Sequence, residues 1–289
     1  MKWLLAAWLC AWWWCLGVVL GCFANAWIQR LTGGTWGAPF AAAAVRLAPA
    51  VRWLLLGLAP IALGARWLYP WAADRAWLGE LARPGFPALW LSQPFFSLRL
   101  LAYALAWWAL ARPATLASKG RSAAALAGHA IVTSLAAVDL LMSLMPGWYS
   151  TGFALAALTV QALSGAAFGT WLATRAANAA PSPRDLGNLL LMWCMTWGYL
   201  AYMQYLVIWA GDLPREIRWY LPRLTGGWQF YALLLVAVQL ALPTLALLFR
   251  AVKDRPRRLQ AVALMLLVGS MLDAVWTVVP SVAAAGGVP

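Results

Sequence analysis

Eight apolar stretches of about 20 residues recur along this chain, at 3–23, 49–69, 94–110, 122–145, 149–172, 186–210, 228–249 and 259–280. That length is what an α-helix needs to cross the hydrocarbon core of a bilayer. A water-soluble fold has no place to hide so many such runs. Only 10% of the residues are charged, against about 25% in a typical globular domain. The expected fold class is therefore an all-α integral membrane protein with about eight transmembrane helices. Pro60 interrupts the second run, and Pro243 predicts a kink in the seventh, tolerated where neighbouring helices satisfy the freed carbonyl.

Charge sets the direction. The 21 Lys and Arg exceed the 8 Asp and Glu, a balance that in a soluble protein would suggest nucleic acid. Here the basic residues fall in short segments between apolar runs, as the positive-inside bias produces, and no nucleic-acid partner is expected. Segments after the odd-numbered runs carry Arg30, Arg46, Arg112, Lys119, Arg121, Arg175 and Arg184, then the Lys253–Arg258 cluster. That side reads as cytoplasmic, which places both termini outside, and membrane lipid is the first expected partner. Met1-Lys2 with Ala24-Asn25-Ala26 resembles a secretory signal with its cleavage site. Its apolar stretch exceeds the usual 7–15 residues, and an inward N-terminus would push Arg30 and Arg46 outside. The first run is read as a retained helix.

Two marks recur four runs apart. Gly17-x-x-x-Gly21 is matched by Gly165-x-x-x-Gly169, a spacing that lets helix backbones approach closely. Asp139-x6-Pro146 is matched by Asp273-x6-Pro280. An even offset gives both halves the same orientation, so the expected architecture is two four-helix bundles, 1–145 and 146–289, related by an internal repeat.

Ionisable groups at membrane depth cost several kcal/mol unless paired or hydrated, which makes each a functional candidate. Asp139 and Asp273 are the two intramembrane carboxylates, both expected in the outer half. Arg99 and Gln204 fall at similar depth, with Tyr103 and Tyr199 nearby in sequence, and together they imply one outward-facing polar layer. An Asp–Arg pair that merely ties helices, or an Arg99 that snorkels to the interface, is the competing reading. His129 is the only histidine, so this chain cannot form a bis-His haem site, and hydrogen bonding to a neighbouring helix is its expected role. Cys10, Cys15, Cys22 and Cys194 show no C-x-x-C spacing, and no metal site is expected. P-loop, dinucleotide and nucleophile–base motifs are missing as well. If the chain handles electrons, a partner must bring the cofactor.

One stretch carries a family resemblance. From Asp185 to Tyr220 the chain reads DLGNLLLMWCMTWGYLAYMQYLVIWAGDLPREIRWY. This is similar to the F-type integral membrane subunit of alternative complex III, the quinol:cytochrome c oxidoreductase, whose members carry D-L-G-K, F-W-A-Y-I-A-F-S-Q-Y and I-W-Y-A-N-L-P-E-E. Asp185, Leu186, Gly187, Trp197, Tyr199, Gln204, Tyr205, Ile208, Trp209, Leu213, Pro214 and Glu216 match that pattern. Dispersed matches include Leu31-Thr32-Gly33-Gly34 with Trp36-Gly37, Leu68-Tyr69-Pro70-Trp71-Ala72, Pro94-Phe95-Phe96 with Arg99, Trp148-Tyr149-Ser150-Thr151, and Asp273, Trp276 and Pro280. Set against the family's usual ten helices, the resemblance implies a shortened form without one helix at each end. Met145-Pro146-Gly147 stands where relatives often have Asp-Pro-His, and Gln29 and Gln239 stand where they tend to have histidine.

The resemblance implies a multi-pass subunit of a bacterial inner-membrane respiratory chain that supports quinol oxidation and possible proton transfer. It implies no cofactor bound by this chain alone, with quinol or menaquinol at a site shared with a related quinol-binding membrane subunit. Iron–sulfur and haem c subunits, and a terminal oxidase, are the further partners it suggests. Asp139 and Asp273 are the candidate proton relay, with Arg99, Tyr199 and Gln204 as candidate quinol-site or helix-pairing residues. Two alternatives stand beside this: a degenerate member with a structural or assembly role, and a small-molecule transporter built on the same halves.

Overall fold

A computed structural model of the chain describes residues 1–80, 85–175 and 182–284. Those residues are all-helical, with no strand among them. Each helix pairs its own backbone donors and acceptors, the condition for a chain immersed in lipid. The long helical stretches are α1 (Lys2–Thr32), α2 (Ala38–Leu63, broken at Ala48–Ala50 and at Gly57), α3 (Gln93–Leu110) and α4 (Lys119–Leu140). They continue as α5 (Phe153–Arg175), α6 (Pro183–Gly211), α7 (Trp228–Leu248) and α8 (Pro256–Ala284).

Six of these stretches (α1, α2, α4, α5, α7 and α8) are long and apolar enough to cross a membrane. The other two are helical where expected but less apolar. α3 has 18 residues and includes Gln93 and Arg99; α6 has 29 but carries Asn188, Gln204 and several Trp and Tyr. Ser118 and Ser182 start α4 and α6 by accepting the backbone N–H three residues on, which satisfies donors the first helical turn leaves free. In α7, residues Ala237–Ala241 form a π-helical turn just before Pro243, with the Leu242 N–H reaching back to the Ala237 carbonyl. The expected disturbance at Pro243 is this widened turn.

At the centre α1 lies against α5. A Cβ built on Gly165 would sit 2.0 Å from the Gly21 carbonyl carbon, and one on Gly21 would sit 1.8 Å from the Gln161 carbonyl oxygen. Only glycine fits at either position, so the two small-residue motifs face one another. Asn25 locks the contact: its Nδ2 donates to the carbonyls of Gly21 and Ala162, each at 2.8 Å, and its Oδ1 accepts from Trp193 Nε1 at 3.0 Å. Apolar packing crosses the midpoint of the chain. One buried cluster joins Leu9, Leu16 and Phe96 to Ala274 and Val278, and another joins Val18 and Phe40 to Leu163 and Leu266.

α8 continues through Pro280. Proline has no N–H, so the carbonyl four residues back, at Trp276, loses its helical donor. Arg223, fully buried in the connection between α6 and α7, supplies the replacement, with Nε donating to the Trp276 carbonyl at 3.2 Å. Its Nη2 donates to the Thr277 carbonyl at 2.9 Å and to Ser281 Oγ at 2.8 Å, and its Nη1 to the Trp219 carbonyl at 2.6 Å.

Candidate functional site

The two intramembrane carboxylates have opposite surroundings. Asp139, near the end of α4, is fully buried and saturated with donors. Arg99 Nε reaches Oδ2 at 2.6 Å and Nη2 reaches Oδ1 at 3.1 Å; Tyr103 Oη donates to Oδ2 at 2.6 Å and Trp90 Nε1 to Oδ1 at 2.7 Å. The Trp90 ring also lies 4.1 Å from the Arg99 guanidinium, with Phe95 at 4.7 Å. A bidentate pair with two further donors engages both oxygens of the carboxylate. This cluster ties α3, α4 and the short helix Gly85–Trp90 together.

Asp273, on α8, has no ion-pair partner within 4 Å among the described residues; Trp197 Nε1 donates to its Oδ1 at 3.0 Å. It lines a cavity of about 110 Å³ bounded by α1, α5, α6 and α8. Polar groups on the same wall are Gln161, Ser164, Gln204, Ser270 and Thr277, among aromatic residues that include Trp14, Trp197 and Trp276. Gln161 is 1% exposed, yet neither its Oε1 nor its Nε2 has a hydrogen-bond partner. A buried primary amide without partners costs free energy unless a guest supplies them. Ser270 is fixed by Trp14, whose Nε1 donates to its Oγ at 2.9 Å. Ala201, also on the wall, is exposed at the outer surface of α6, so the cavity borders the surface there.

The expected single polar layer is thus two separate arrangements. Arg99 belongs to the Asp139 cluster. Gln204 lines the Asp273 cavity. Tyr199 joins neither of them and is 61% exposed on the outer surface of α6. The reason is helical geometry: positions five apart point about 140° from one another at 3.6 residues per turn, so Tyr199 and Gln204 cannot share a face. Trp197, Ala201 and Gln204 do share one. Gln161 carries no mark in the sequence reading, and Trp197 enters it only as part of the family pattern; the usable signal was that Gln161 lies four residues before Gly165, on the close-packed face of α5.

His129 is buried in α4, where Nδ1 pairs with Thr133 Oγ1 at 3.1 Å. Its partner is therefore on its own helix rather than on a neighbouring one, and Trp107 of α3 donates to the same hydroxyl at 3.2 Å. The four cysteines are free, and no group of three His, Cys, Asp or Glu gathers among the described residues. Gln239 is fully buried at the π-helical turn, its amide unpartnered beside Gly269 of α8. Burial lowers the pKa of Arg223 to about 9, against the opposing pull of Tyr220 and Asp273. It stays charged at neutral pH.

What the cavity offers is the Asp273 carboxyl, two amides and four hydroxyls, the Tyr220 phenol included, against aromatic walls. Such a set can bind a small hydroxylated ring or a few waters, and Asp273 can accept a proton from either. The chain matches no family model and no curated protein.

Proposed function

We propose that this chain is an integral membrane subunit of a respiratory quinol:cytochrome c oxidoreductase of the alternative complex III kind. In this reading α3 and α6 also cross the bilayer, giving eight spans in two repeated halves, with both termini on the outer side of a bacterial inner membrane. The observation that carries it is the Asp273 cavity, which holds an unpartnered Gln161 and borders the exposed Ala201. A lipid-soluble quinol reaching it from the bilayer would find Asp273 as acceptor for a hydroxyl proton. Gln161 and Gln204 would orient the ring. Electrons would leave to an iron–sulfur or haem c centre on a partner subunit. Asp139 has no part in that transfer and serves as a tie.

Gln239 favours the second reading, a subunit with a structural or assembly role. An unpartnered amide stands there where the resembled family tends to carry a protonatable histidine.

Gentle extraction of a tagged chain from native membranes tests both. Iron–sulfur and haem c subunits copurifying with bound quinone is the expected result. Terminal-oxidase or assembly proteins without quinone would make the structural role primary. Recovery of the chain alone, from membranes where such complexes stay intact, would overturn both.

A further inference from the structure

The end of α1 meets the α3–α4 connection, and the α7–α8 connection meets the start of α6. Trp27 Nε1 donates to Thr115 Oγ1 at 3.0 Å, and Arg30 Nη2 donates to the Ala117 carbonyl at 3.3 Å. Lys253 Nζ donates to Asn188 Oδ1 at 2.6 Å, joining the α7–α8 connection to the start of α6. Charge concentrates at this last corner. Residues 250–258 include Arg250, Lys253, Arg255, Arg257 and Arg258, with Asp254 as their one carboxylate. Arg184 of α6 takes Asp254, with Nη2 to Oδ2 at 2.9 Å. The other acid nearby, Asp185, occupies the first turn of α6, where the helix N-terminus favours it.

Four arginines are left facing outward. Arg250, Arg255, Arg257 and Arg258 are all exposed, and Arg258 makes only a 3.4 Å contact with the Ala251 carbonyl. Immediately before them on the chain, Leu245, Leu248 and Phe249 are 58%, 62% and 65% exposed. An apolar strip running directly into a basic cluster is the two-part complement of an amphiphile at headgroup depth.

The geometry points to an anionic phospholipid held at this corner. Its phosphodiester lies against Arg250, Arg255, Arg257 and Arg258, and an acyl chain runs along Leu245, Leu248 and Phe249. Charge complementarity selects the headgroup, because no unpaired carboxylate stands within the cluster. The contiguous apolar strip selects a lipid over free phosphate. This site is independent of the quinol reading.

The test uses the purified full chain in neutral detergent, incubated with phosphatidylglycerol or phosphatidylcholine, with retained lipid counted by mass spectrometry of the intact protein. Phosphatidylglycerol should be retained in preference. Each basic residue near a membrane surface contributes roughly five-fold to such binding, so Arg255→Gln, Arg257→Gln and Arg258→Gln together should weaken retention about a hundred-fold. Arg66→Gln, Arg75→Gln and Arg215→Gln remove the same charge from the opposite end and should leave retention unchanged. Equal retention of both lipids by the unaltered chain, or equal losses in the two triple variants, would overturn the site. If the first triple variant does not fold, salt decides on the unaltered chain. Selective loss of phosphatidylglycerol at high salt is expected from screening, and indifference to salt would overturn it.

Discussion

Arg223 completes the hydrogen bonding that Pro280 disrupts, giving the Trp276 carbonyl a guanidinium donor in place of the missing backbone N–H. It is a long-range repair of a local defect. Without it the C-terminal part of α8, which carries Asp273 and Trp276 to the cavity, would have an unpaired buried carbonyl.

Arg223→Gln should therefore destabilise the protein by about 2 kcal/mol or more, the cost of leaving a buried acceptor unpaired. Adding Pro280→Ala restores the helical N–H and should recover part of the loss. Thermal unfolding of the two single variants and the double variant measures the coupling. Strict additivity would mean that Arg223 acts elsewhere.

Asp139→Asn and Asp273→Asn should separate stability from turnover. Removing the charge at Asp139 leaves Arg99 buried without a counter-ion, a loss of about 3–5 kcal/mol by the usual cost of a broken buried pair. Asp273 has no such partner among the described residues, so its Asn variant should unfold within about 1 kcal/mol of the unaltered protein while, on the proposed function, quinol-dependent turnover falls. Unchanged turnover in the Asp273 variant would remove that residue from the reaction.

Gln161→Leu should keep or raise thermal stability, since an unpartnered amide is replaced by an apolar side chain of similar size. Quinone retained after purification should drop in the same variant. Retention equal to the unaltered protein would show that the amide does not touch the ligand.

Gly165→Ala should prevent α1 and α5 from reaching their observed separation, because the added Cβ meets backbone rather than a movable side chain. Gly120→Ala meets nothing within 4 Å and should be neutral or stabilising by up to about 1 kcal/mol. Comparing folded yield and unfolding temperature of the two variants is sufficient.

The exposed Arg184–Asp254 bridge should show in the pH dependence. The hydrogen bond from Arg184 and its charge hold the Asp254 carboxyl below its ordinary range. Any stability this gives is present above the unfolded pKa and is lost as pH falls through the folded one. The difference in unfolding temperature between the unaltered protein and Asp254→Asn should therefore be largest near neutral pH and vanish in acid. It should also shrink in high salt, as for any exposed pair.

Most helix positions were readable because apolar runs and their charged ends report on membrane immersion; the second run, expected at 49–69, is α2 at Ala38–Leu63, because the alanine-rich stretch before Arg46 is helical as well. The pairing of Arg99 with Asp139 was foreseeable only as one option among several, since sequence gives depth along a helix but not which neighbour it meets. Depth alone put Tyr199 beside Gln204, and facing separated them. Gln161 was hidden because one glutamine in an apolar run carries no pattern of its own. It becomes visible once Gly21 and Gly165 are known to touch. The breadth of the basic end was plain from the charge tally, but the strip Leu245, Leu248 and Phe249 beside it needed the exposed faces of α7.

The close fit of α1 and α5 also sets an order of events during biosynthesis. Cys22 and Gly165, whose side chain and carbonyl meet in the finished protein, are 143 residues apart. At about 5–20 residues per second, the glycine notch of α1 waits on the order of ten seconds for α5 to emerge. Throughout that interval its native partner is absent. The amino-terminal half is therefore built around an empty place, and a ribosome pause before α5 prolongs the time it is left open.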